Sequence, residues 1–368
     1  RHYINLVIWY IAIKLLILLL NEFYLIFVPI MAVIHFLNVL EGDCNVIQHD
    51  SGRLTVIDVS NAFNDIDTEE EKKVKTSQER EDRRLRTQVP TGKTDYKQKH
   101  NPDNPIQYIK EKIKKTNIFR FIITHPDMDH IDGIKDLFED FSITNTWDTD
   151  NKVEKDMKNW GGGYNKEDWA FYKNLRDGKY SETKRLTYFD THDCIYWNQD
   201  NIKILSPTPE LLKSAIEAND YNDASYAILF TPPKKDGSCW KILFAGDTHD
   251  KSWEHIISNH KNVVSDIDVL MAPHHGRDSD RNYNFLETLK PRVTLFGNAS
   301  SKHLAYDSYP NIRITNNQAG YIILDVNDTN ITFYVKNYEF ARDYKYKKGW
   351  GFPLKNVTFD AYGLFKIS

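Results

Sequence analysis

The sequence predicts an α/β (α+β) fold in which two β-sheets have helices on their outer sides. Short apolar or β-branched runs bounded by turn residues, which are typical of strands, occur in both halves of the chain. Segments in which apolar residues recur with helical spacing fall between these runs. Strands mixed with helices in both halves favour two sheets that are covered by helices.

The elements follow in chain order. A meander of short strands at 32–40, 44–48 and 54–59 is separated by the turns Glu41-Gly42-Asp43 and Asp50-Ser51-Gly52. A helical segment at 106–115 then precedes a buried strand at 119–124, and a helix with an apolar inner face follows at 131–138. Further strand runs lie at 202–205, 225–230, 241–245, 269–272, 293–296 and 321–324, with helical segments at 253–258 and 283–289.

The first thirty residues differ from the rest. The segment 6–30 is strongly apolar, interrupted by Lys14, Asn21 and Glu22, and is long enough to cross a bilayer. The first methionine is Met31, where the strand pattern begins, so residues 1–30 are either a membrane anchor or upstream sequence that is not part of the working protein. We therefore expect a cytoplasmic protein, with membrane anchoring as the alternative.

Three other segments interrupt or extend the domain that we place at 31–340. The stretch 65–99 is dense in charge with almost no large apolar residues, which indicates an exposed insertion. The stretch 147–196 is rich in aromatic residues and glycine, which indicates a second insertion. The C-terminal extension 341–368 opens with mixed basic and aromatic residues. That pattern fits a single-stranded nucleic-acid groove or, by the simpler interpretation, an edge strand protected by lysines.

Composition limits the possible functions. A hydrophobic fraction of 40% and a charged fraction of 27% are ordinary for a globular protein. The formal net charge of −4 gives no general attraction to nucleic acid or to anionic membranes, so any polyanion site must be a local patch. Cys44, Cys194 and Cys239 are too few and too widely spaced for a disulfide framework, which favours a reducing compartment.

A short loop after the strand at 119–124 carries most of the candidate chemistry. It contains His125, Asp127, Asp129 and His130 within six residues. Imidazole and carboxylate groups suit zinc or manganese, and a tight loop can direct them to one point. The two aspartates would repel each other without a cation. A polar turn that caps the next helix is the alternative, but the density of ligands favours a metal site.

Two later strands also end at residues that can bind metal. The run 242–245 leads into the turn Gly246-Asp247, which could deliver a bridging carboxylate. The run 269–272 leads into Pro273-His274-His275-Gly276, where glycine allows the backbone to approach a ligand closely. Each signal is weak alone, because strands often end in such turns. Three strand ends with ligand-type residues together predict one shared metal site.

The segment from His125 to Gly133 resembles the metal motif of the metallo-β-lactamase superfamily. More narrowly, it is similar to the hydrolase domain of ComEC-type DNA-uptake proteins and their stand-alone relatives. Segment 36–43 resembles the first strand and turn of that family, and the two turns at 246–247 and 273–276 match in order. Segments 297–303 and 313–320 resemble its asparagine-to-histidine segment and its closing hairpin. The resemblance implies the metallo-β-lactamase αββα sandwich.

The resemblance also implies how two divalent ions, Zn²⁺ or Mn²⁺, would be held. His125 and Asp127 would bind one ion, and Asp129 and His130 would bind the other. Asp247 would bridge the two ions. Aspartate at position 127, where many members of the superfamily have histidine, is typical of the ComEC-like branch.

The remaining ligands follow less directly from the resemblance. The middle histidine of the wider superfamily has no match, because 222–225 reads Asn-Asp-Ala-Ser. One of His274 and His275 would complete the first ion instead. We expect His275 to be that ligand and His274 to protonate the leaving group, with Asp129 also assigned to catalysis. His303 would complete the second ion.

These observations predict a metal-dependent hydrolase, with a phosphodiesterase or nuclease acting on DNA, RNA or another phosphodiester as the first hypothesis. Hydrolysis of a carboxylic ester, lactone or thioester on the same ions is the alternative within enzymes, since a fold does not fix its substrate. If the protein is not an enzyme, the alternative is a membrane-anchored component of a DNA-handling assembly. No protein partner is predicted.

Overall fold

The computed structural model describes residues 30–64, 93–158, 160, 163–190, 195–299 and 303–368. The apolar segment up to residue 29 and most of the charged insertion predicted at 65–99 lie outside these residues. Among the residues that are described, no helix is long and apolar enough to cross a membrane. In the insertion's described end, 93–99, four of the seven residues are exposed, and the half-buried ring of Tyr96 lies 5.4 Å from that of Phe340.

The strands are short and mostly buried, as their apolar and β-branched composition predicts. In chain order they are β1 (Ile30–Phe36), β2 (Asn45–His49), β3 (Leu54–Ile57), β4 (Asn117–Ile122), β5 (Ser142–Trp147), β6 (Lys184–Leu186), β7 (Ile202–Ser206), β8 (Ala227–Phe230), β9 (Ile242–Phe244), β10 (Val269–Met271), β11 (Val293–Phe296), β12 (Ile312–Thr315), β13 (Ile322–Asn327), β14 (Ile331–Val335), β15 (Lys355–Asn356) and β16 (Ala361–Ile367).

Most of the helices are short, and the longest, α6 (Asp250–Val264), has fifteen residues. In chain order they are α1 (Pro105–Tyr108, continued by a π-helical turn at Ile109–Ile113), α2 (Ile134–Asp140), α3 (Lys166–Arg176), α4 (Ile195–Gln199), α5 (Pro209–Ala218), α6 (Asp250–Val264), α7 (Phe285–Leu289), α8 (Asn316–Ala319) and α9 (Tyr338–Lys347). The predicted helical segments at 106–115, 253–258 and 283–289 correspond to α1, α6 and α7.

The strands form two sheets of mixed direction. The ten-stranded sheet has the order β15-β16-β14-β13-β1-β2-β3-β4-β5-β6, and the six-stranded sheet has the order β12-β11-β10-β9-β8-β7. Pairing from β3 to β6 is parallel in the larger sheet, and pairing from β9 to β12 is parallel in the smaller sheet. The remaining pairs are antiparallel, including the pair β1–β13 that joins the two halves of the chain.

Three apolar clusters define four layers. One cluster contains residues of both sheets, such as Phe36 of β1 and Phe244 of β9, and fills the space between them. A second cluster joins the larger sheet to α1, α2 and α3 through residues such as Leu137 and Trp169. A third joins the smaller sheet to α6 and α7 through Ile256 and others. Helices, sheet, sheet and helices therefore lie in the order αββα, and the predicted fold class is confirmed.

One local prediction needs correction. The basic and aromatic run that begins at residue 341 is part of helix α9 and not an edge strand, and the helix buries Phe340 and Ala341 in the apolar cluster that contains residues of both sheets. The edge of the larger sheet is formed instead by β15. The stretch 147–196 also contributes to the fold, since it supplies α3 and the strand β6 at the opposite edge of the same sheet.

Parallel pairing determines where the candidate site lies. Strands β3 and β4 are parallel neighbours, so their carboxyl ends meet at one edge of the larger sheet. Strands β9 and β10 are parallel neighbours in the smaller sheet. The predicted ligands lie in the loops that follow β4, β9 and β10. These loops converge between the two sheets at that edge.

Candidate metal centre

The loop after β4 turns tightly so that its two histidines lie side by side. A 3₁₀ turn at Met128–His130 shortens the path between them, and their ring centroids are 4.1 Å apart. Both imidazoles are buried, whereas the Asp127 side chain is 51% exposed and the Asp129 side chain is 23% exposed. The loop therefore presents buried nitrogen ligands beside carboxylates that face the solvent.

The histidine pair after β10 has an unusual backbone. His274 and His275 have φ angles of 52° and 57°, in the left-handed region that few residues other than glycine adopt. The two residues therefore do not continue the extended strand β10. Gly276 follows with φ 84°, and a Cβ there would lie 2.2 Å from Cδ1 of Phe296, so only glycine fits. The tight turn directs both imidazoles towards the loop after β9.

Asp247 lies at the centre of the four histidines. Its Oδ1 is 3.3 Å from Nε2 of His130 and 3.7 Å from Nε2 of His275. Its Oδ2 is 3.6 Å from Nε2 of His125 and 3.5 Å from Nε2 of His274. Each oxygen of one buried carboxylate thus faces two imidazole nitrogens.

The loop aspartates complete two sets of ligands. Asp127 Oδ2 lies 3.5 Å from Nε2 of His125, and Asp129 Oδ2 lies 3.3 Å from Nε2 of His275. We define the first ligand group as His125, Asp127, His274 and Oδ2 of Asp247. The second ligand group is Asp129, His130, His275 and Oδ1 of Asp247. The contacts within the two groups are 3.3–3.7 Å long, close to the spacing of atoms that bond one cation at about 2.0–2.1 Å. The triads whose ligand atoms all lie within 4.8 Å of one another include His125–His130–Asp247 and Asp129–His130–His275.

The buried atoms of these groups fit a cation. Within the described ranges, Nε2 of His125, His130 and His275 and Oδ1 of Asp247 are buried without a hydrogen-bond partner. Such atoms are costly to bury unless something satisfies them. Burial alone raises the pKa of Asp247, but the imidazoles around it outweigh burial and hold that pKa well below its usual range. An ionised carboxylate between imidazole nitrogens is a suitable donor set for zinc or manganese.

Two further carboxylates lie beside the histidines of the second ligand group. Asp58 forms a hydrogen bond with its histidine, whereas Asp43 is only in contact with the other. Asp58, which follows β3, lies 2.8 Å from Nδ1 of His130 and accepts hydrogen bonds from the backbone and hydroxyl of Thr124. Asp43 Oδ1 lies 3.2 Å from Nδ1 of His275. Carboxylates of this kind fix the ring orientation and tautomer of metal-binding histidines. Neither was predicted from the sequence. The end of the strand run at 54–59 was the available signal for Asp58.

Replacing Asp58 tests this orienting role. We expect Asp58→Asn to weaken zinc binding by about 10- to 100-fold, because the amide no longer fixes His130 as a carboxylate does. Competition with a chromogenic chelator measures the affinity. Asp148→Asn is the matched control, since Asp148 is also a buried aspartate that follows a strand of the same sheet but pairs with Arg185. Equal affinities for the two variants would contradict the role.

The arrangement differs from the prediction in two places. His275 was expected beside His125 and Asp127, but its Nε2 faces Asp129 in the second ligand group, and His274 lies in the first. His303 was expected to complete the second ion. The structure instead places His303 beside Asp278, with an exposed side chain outside both groups. The backbone turn at 274–275 explains why His274, and not His275, lies in the first ligand group, because it brings both neighbouring imidazoles to Asp247.

No family model matches the chain, and no curated protein matches it. Solved structures with some likeness include a variant of the β-hydroxylase CmlA, at 10% identity over 80% of this chain and a TM-score of 0.41. The metallo hydrolase Igni18 from Ignicoccus hospitalis has 13% identity over 76% of the chain and a TM-score of 0.36. A diphosphatase of the PhnP family has 12% identity over 77% and a TM-score of 0.37.

This chain spans 54% of the length of the CmlA structure, 86% of Igni18 and 94% of the diphosphatase. At these values the likeness assigns neither family nor activity. The αββα fold follows from the chain's own layers and strand order, and the metal centre follows from the contacts around Asp247.

Proposed function

We propose that this protein is a metal-dependent hydrolase of the metallo-β-lactamase type, close to the ComEC-like branch, and that it cleaves phosphodiesters. The observation that carries the proposal is the placement of four imidazole nitrogens around the two oxygens of Asp247. The first and second ligand groups would each hold one Zn²⁺ or Mn²⁺ ion. Bound divalent cations lower the pKa of water and polarise the oxygens of a substrate.

The chain's own residues would position this chemistry. Asp247 would keep the two ligand groups at a fixed separation, and Asp43 and Asp58 would hold the rings of His275 and His130. Burial, aided by the positive charges of His275, Arg281 and Arg277, lowers the pKa of His274 to about 4, against the pull of Asp247. Nε2 of His274 also lies 3.5 Å from Oδ2 of Asp247, an approach like those of the other three histidines, which fits a metal ligand better than the proton donor that we predicted from the sequence.

Two cationic side chains favour an anionic substrate. Lys155 Nζ lies 3.9 Å from Oδ1 of Asp127, at the exposed side of the first ligand group. Arg281 is 5% exposed and donates from Nη1 to the carbonyl of Thr248, directly after Asp247. Its Nε and Nη2 are buried without a hydrogen-bond partner among the described residues. A buried guanidinium with free donors suits a phosphate oxygen.

Replacing Arg281 separates anionic from neutral substrates. We expect Arg281→Met to lower kcat/KM for bis(p-nitrophenyl) phosphate by roughly 10- to 100-fold, because a charge-assisted hydrogen bond contributes about 1.5–3 kcal/mol. Hydrolysis of a neutral lactone should change little. Arg292→Met is the control, since Arg292 pairs with Asp268, and these residues precede β11 and β10 at the end of the sheet opposite the loops that carry the ligands. Equal losses on both substrates would argue against a phosphate contact.

Carboxylic esters, lactones and thioesters remain the alternative substrates, because the same cations would polarise a carbonyl. Purified protein supplied with Mn²⁺ or Zn²⁺ should be assayed on bis(p-nitrophenyl) phosphate, single- and double-stranded DNA, RNA, a lactone and a thioester. The proposal predicts metal-dependent turnover of a phosphodiester. Turnover of the lactone or thioester alone would replace it by the alternative, and nucleic-acid binding without any turnover would favour a component of a DNA-handling assembly.

A further inference from the structure

A second group of metal-binding side chains lies apart from Asp247, on helix α6. His255 and His260 both extend from this helix to Asp190, which follows β6. Nε2 of His255 is 2.7 Å from Oδ2 of Asp190, and Nε2 of His260 is 3.3 Å from the same oxygen. One ligand atom from each of the three residues lies within 4.8 Å of the others.

The carboxylate of Asp190 is more buried than the carboxylates of ordinary surface ion pairs. The Asp190 side chain is 8% exposed, and its Oδ1 is buried without a hydrogen-bond partner in the described part of the chain. The backbone of Asp190 is also fixed, because its N–H donates to the carbonyl of Pro207 at 3.1 Å. Both imidazoles face Oδ2, whereas Oδ1 has no partner, so this buried carboxylate has coordination capacity that the protein itself leaves unused.

We propose that Asp190, His255 and His260 bind a single structural Zn²⁺ ion. Two imidazoles and one carboxylate are a usual ligand set for zinc, and the His255 and His260 side chains are 19% and 13% exposed, which leaves room for water as a fourth ligand. Without the ion, His255 donates from Nε2 to Asp190 while its Nδ1 faces the amide of Asn259 at 3.1 Å. Coordination through Nε2 requires the other neutral tautomer, in which the ring proton is on Nδ1, so the Asn259 amide must turn to accept from Nδ1 with its oxygen.

An ion at this position would join distant parts of the chain. Asp190 belongs to the segment that leaves the edge of the larger sheet, whereas α6 covers the smaller sheet. Helix α6 begins at Asp250, in the loop that carries Asp247. The zinc ion would therefore fix the helix that follows the catalytic loop against the aromatic segment at 147–190. Its role is structural, and it does not depend on the proposed hydrolase activity.

The test is a zinc count on the full chain and on Asp190→Asn. Asparagine can still accept a hydrogen bond from either histidine, so it preserves the arrangement without the ion but removes the charged ligand. We expect the variant, after zinc saturation and dialysis, to contain about one zinc ion fewer per chain than the unmodified protein by inductively coupled plasma mass spectrometry. Glu254→Gln, which removes an exposed carboxylate from the same helix, should bind as much zinc as the unmodified protein.

A second readout separates loss of the ion from loss of the fold. The chelator-induced fall in melting temperature should be smaller in Asp190→Asn than in Glu254→Gln, while hydrolysis and metal content at Asp247 stay unchanged. If Asp190→Asn does not fold, Co²⁺ added to the Asp247→Ala protein should still give the visible absorption of a four-coordinate site. Equal zinc content in Asp190→Asn and the unmodified protein, or no Co²⁺ spectrum in the Asp247→Ala protein, would overturn the proposal.

Discussion

Asp247→Ala is expected to lose metal from both ligand groups and to reduce kcat/KM roughly a thousand-fold, equivalent to about 4 kcal/mol of transition-state stabilisation. The reason is that both of its oxygens face ligand nitrogens, Oδ1 towards His130 and Oδ2 towards His125. Removing the carboxylate leaves four imidazoles close together without the charge that balances a cation. Elemental analysis measures the metal, and hydrolysis of bis(p-nitrophenyl) phosphate measures the activity.

Asp250→Ala is the control for this variant. Asp250 lies three residues further along the same loop, at the start of α6, and its carboxylate accepts a hydrogen bond from the backbone of Asn282 rather than facing the histidines. It should retain metal and most of the activity. Full metal content in Asp247→Ala, with circular dichroism showing a folded protein, would remove Asp247 from the site.

The second large effect concerns the histidine pair. His275→Ala should lose the ion of the second ligand group, and His274→Ala the ion of the first. Each should reduce turnover roughly a hundred-fold or more. Because ligand loss impairs activation of water, the loss in His274→Ala should be similar for substrates with good and poor leaving groups. Metal analysis combined with rates on bis(p-nitrophenyl) phosphate and an alkyl phosphodiester measures both effects.

The sequence-based assignment gives a different outcome for the same experiment. If His274 protonates the leaving group, His274→Ala keeps its metal and loses activity mainly on the alkyl ester, since p-nitrophenolate leaves without help. The 3.5 Å approach of His274 Nε2 to Oδ2 of Asp247 argues for the ligand role. Unchanged metal content in His274→Ala would restore the role of proton donor.

The parts of the site that are contiguous in sequence could be predicted. His125, Asp127, Asp129 and His130 lie within one loop, and Asp247 follows an apolar strand at a glycine turn, so local patterns were sufficient. The αββα layers followed from the alternation of strands and helices together with the resemblance. Local patterns also located α6, although only 253–258 of its fifteen residues was predicted.

The parts that depend on distant contacts could not be predicted. Asp58 meets His130 because β3 and β4 pair in parallel, and Asp190 meets His255 across 65 positions of sequence. The positive φ angles at 274 and 275 determine which ligand group each histidine of the pair joins. The two-residue sequence His-His does not predict positive φ angles. Helix α9 was mistaken for an edge strand because lysines and aromatics occur in both.

Anomalous diffraction from crystals of the zinc-loaded protein, measured above and below the zinc absorption edge, tests most directly whether metal ions bind beside Asp247. Two peaks are expected there, one within the first ligand group and one within the second. A peak at Asp190 would be additional and independent. Zinc-loaded crystals without anomalous density beside Asp247 would contradict the proposed metal centre.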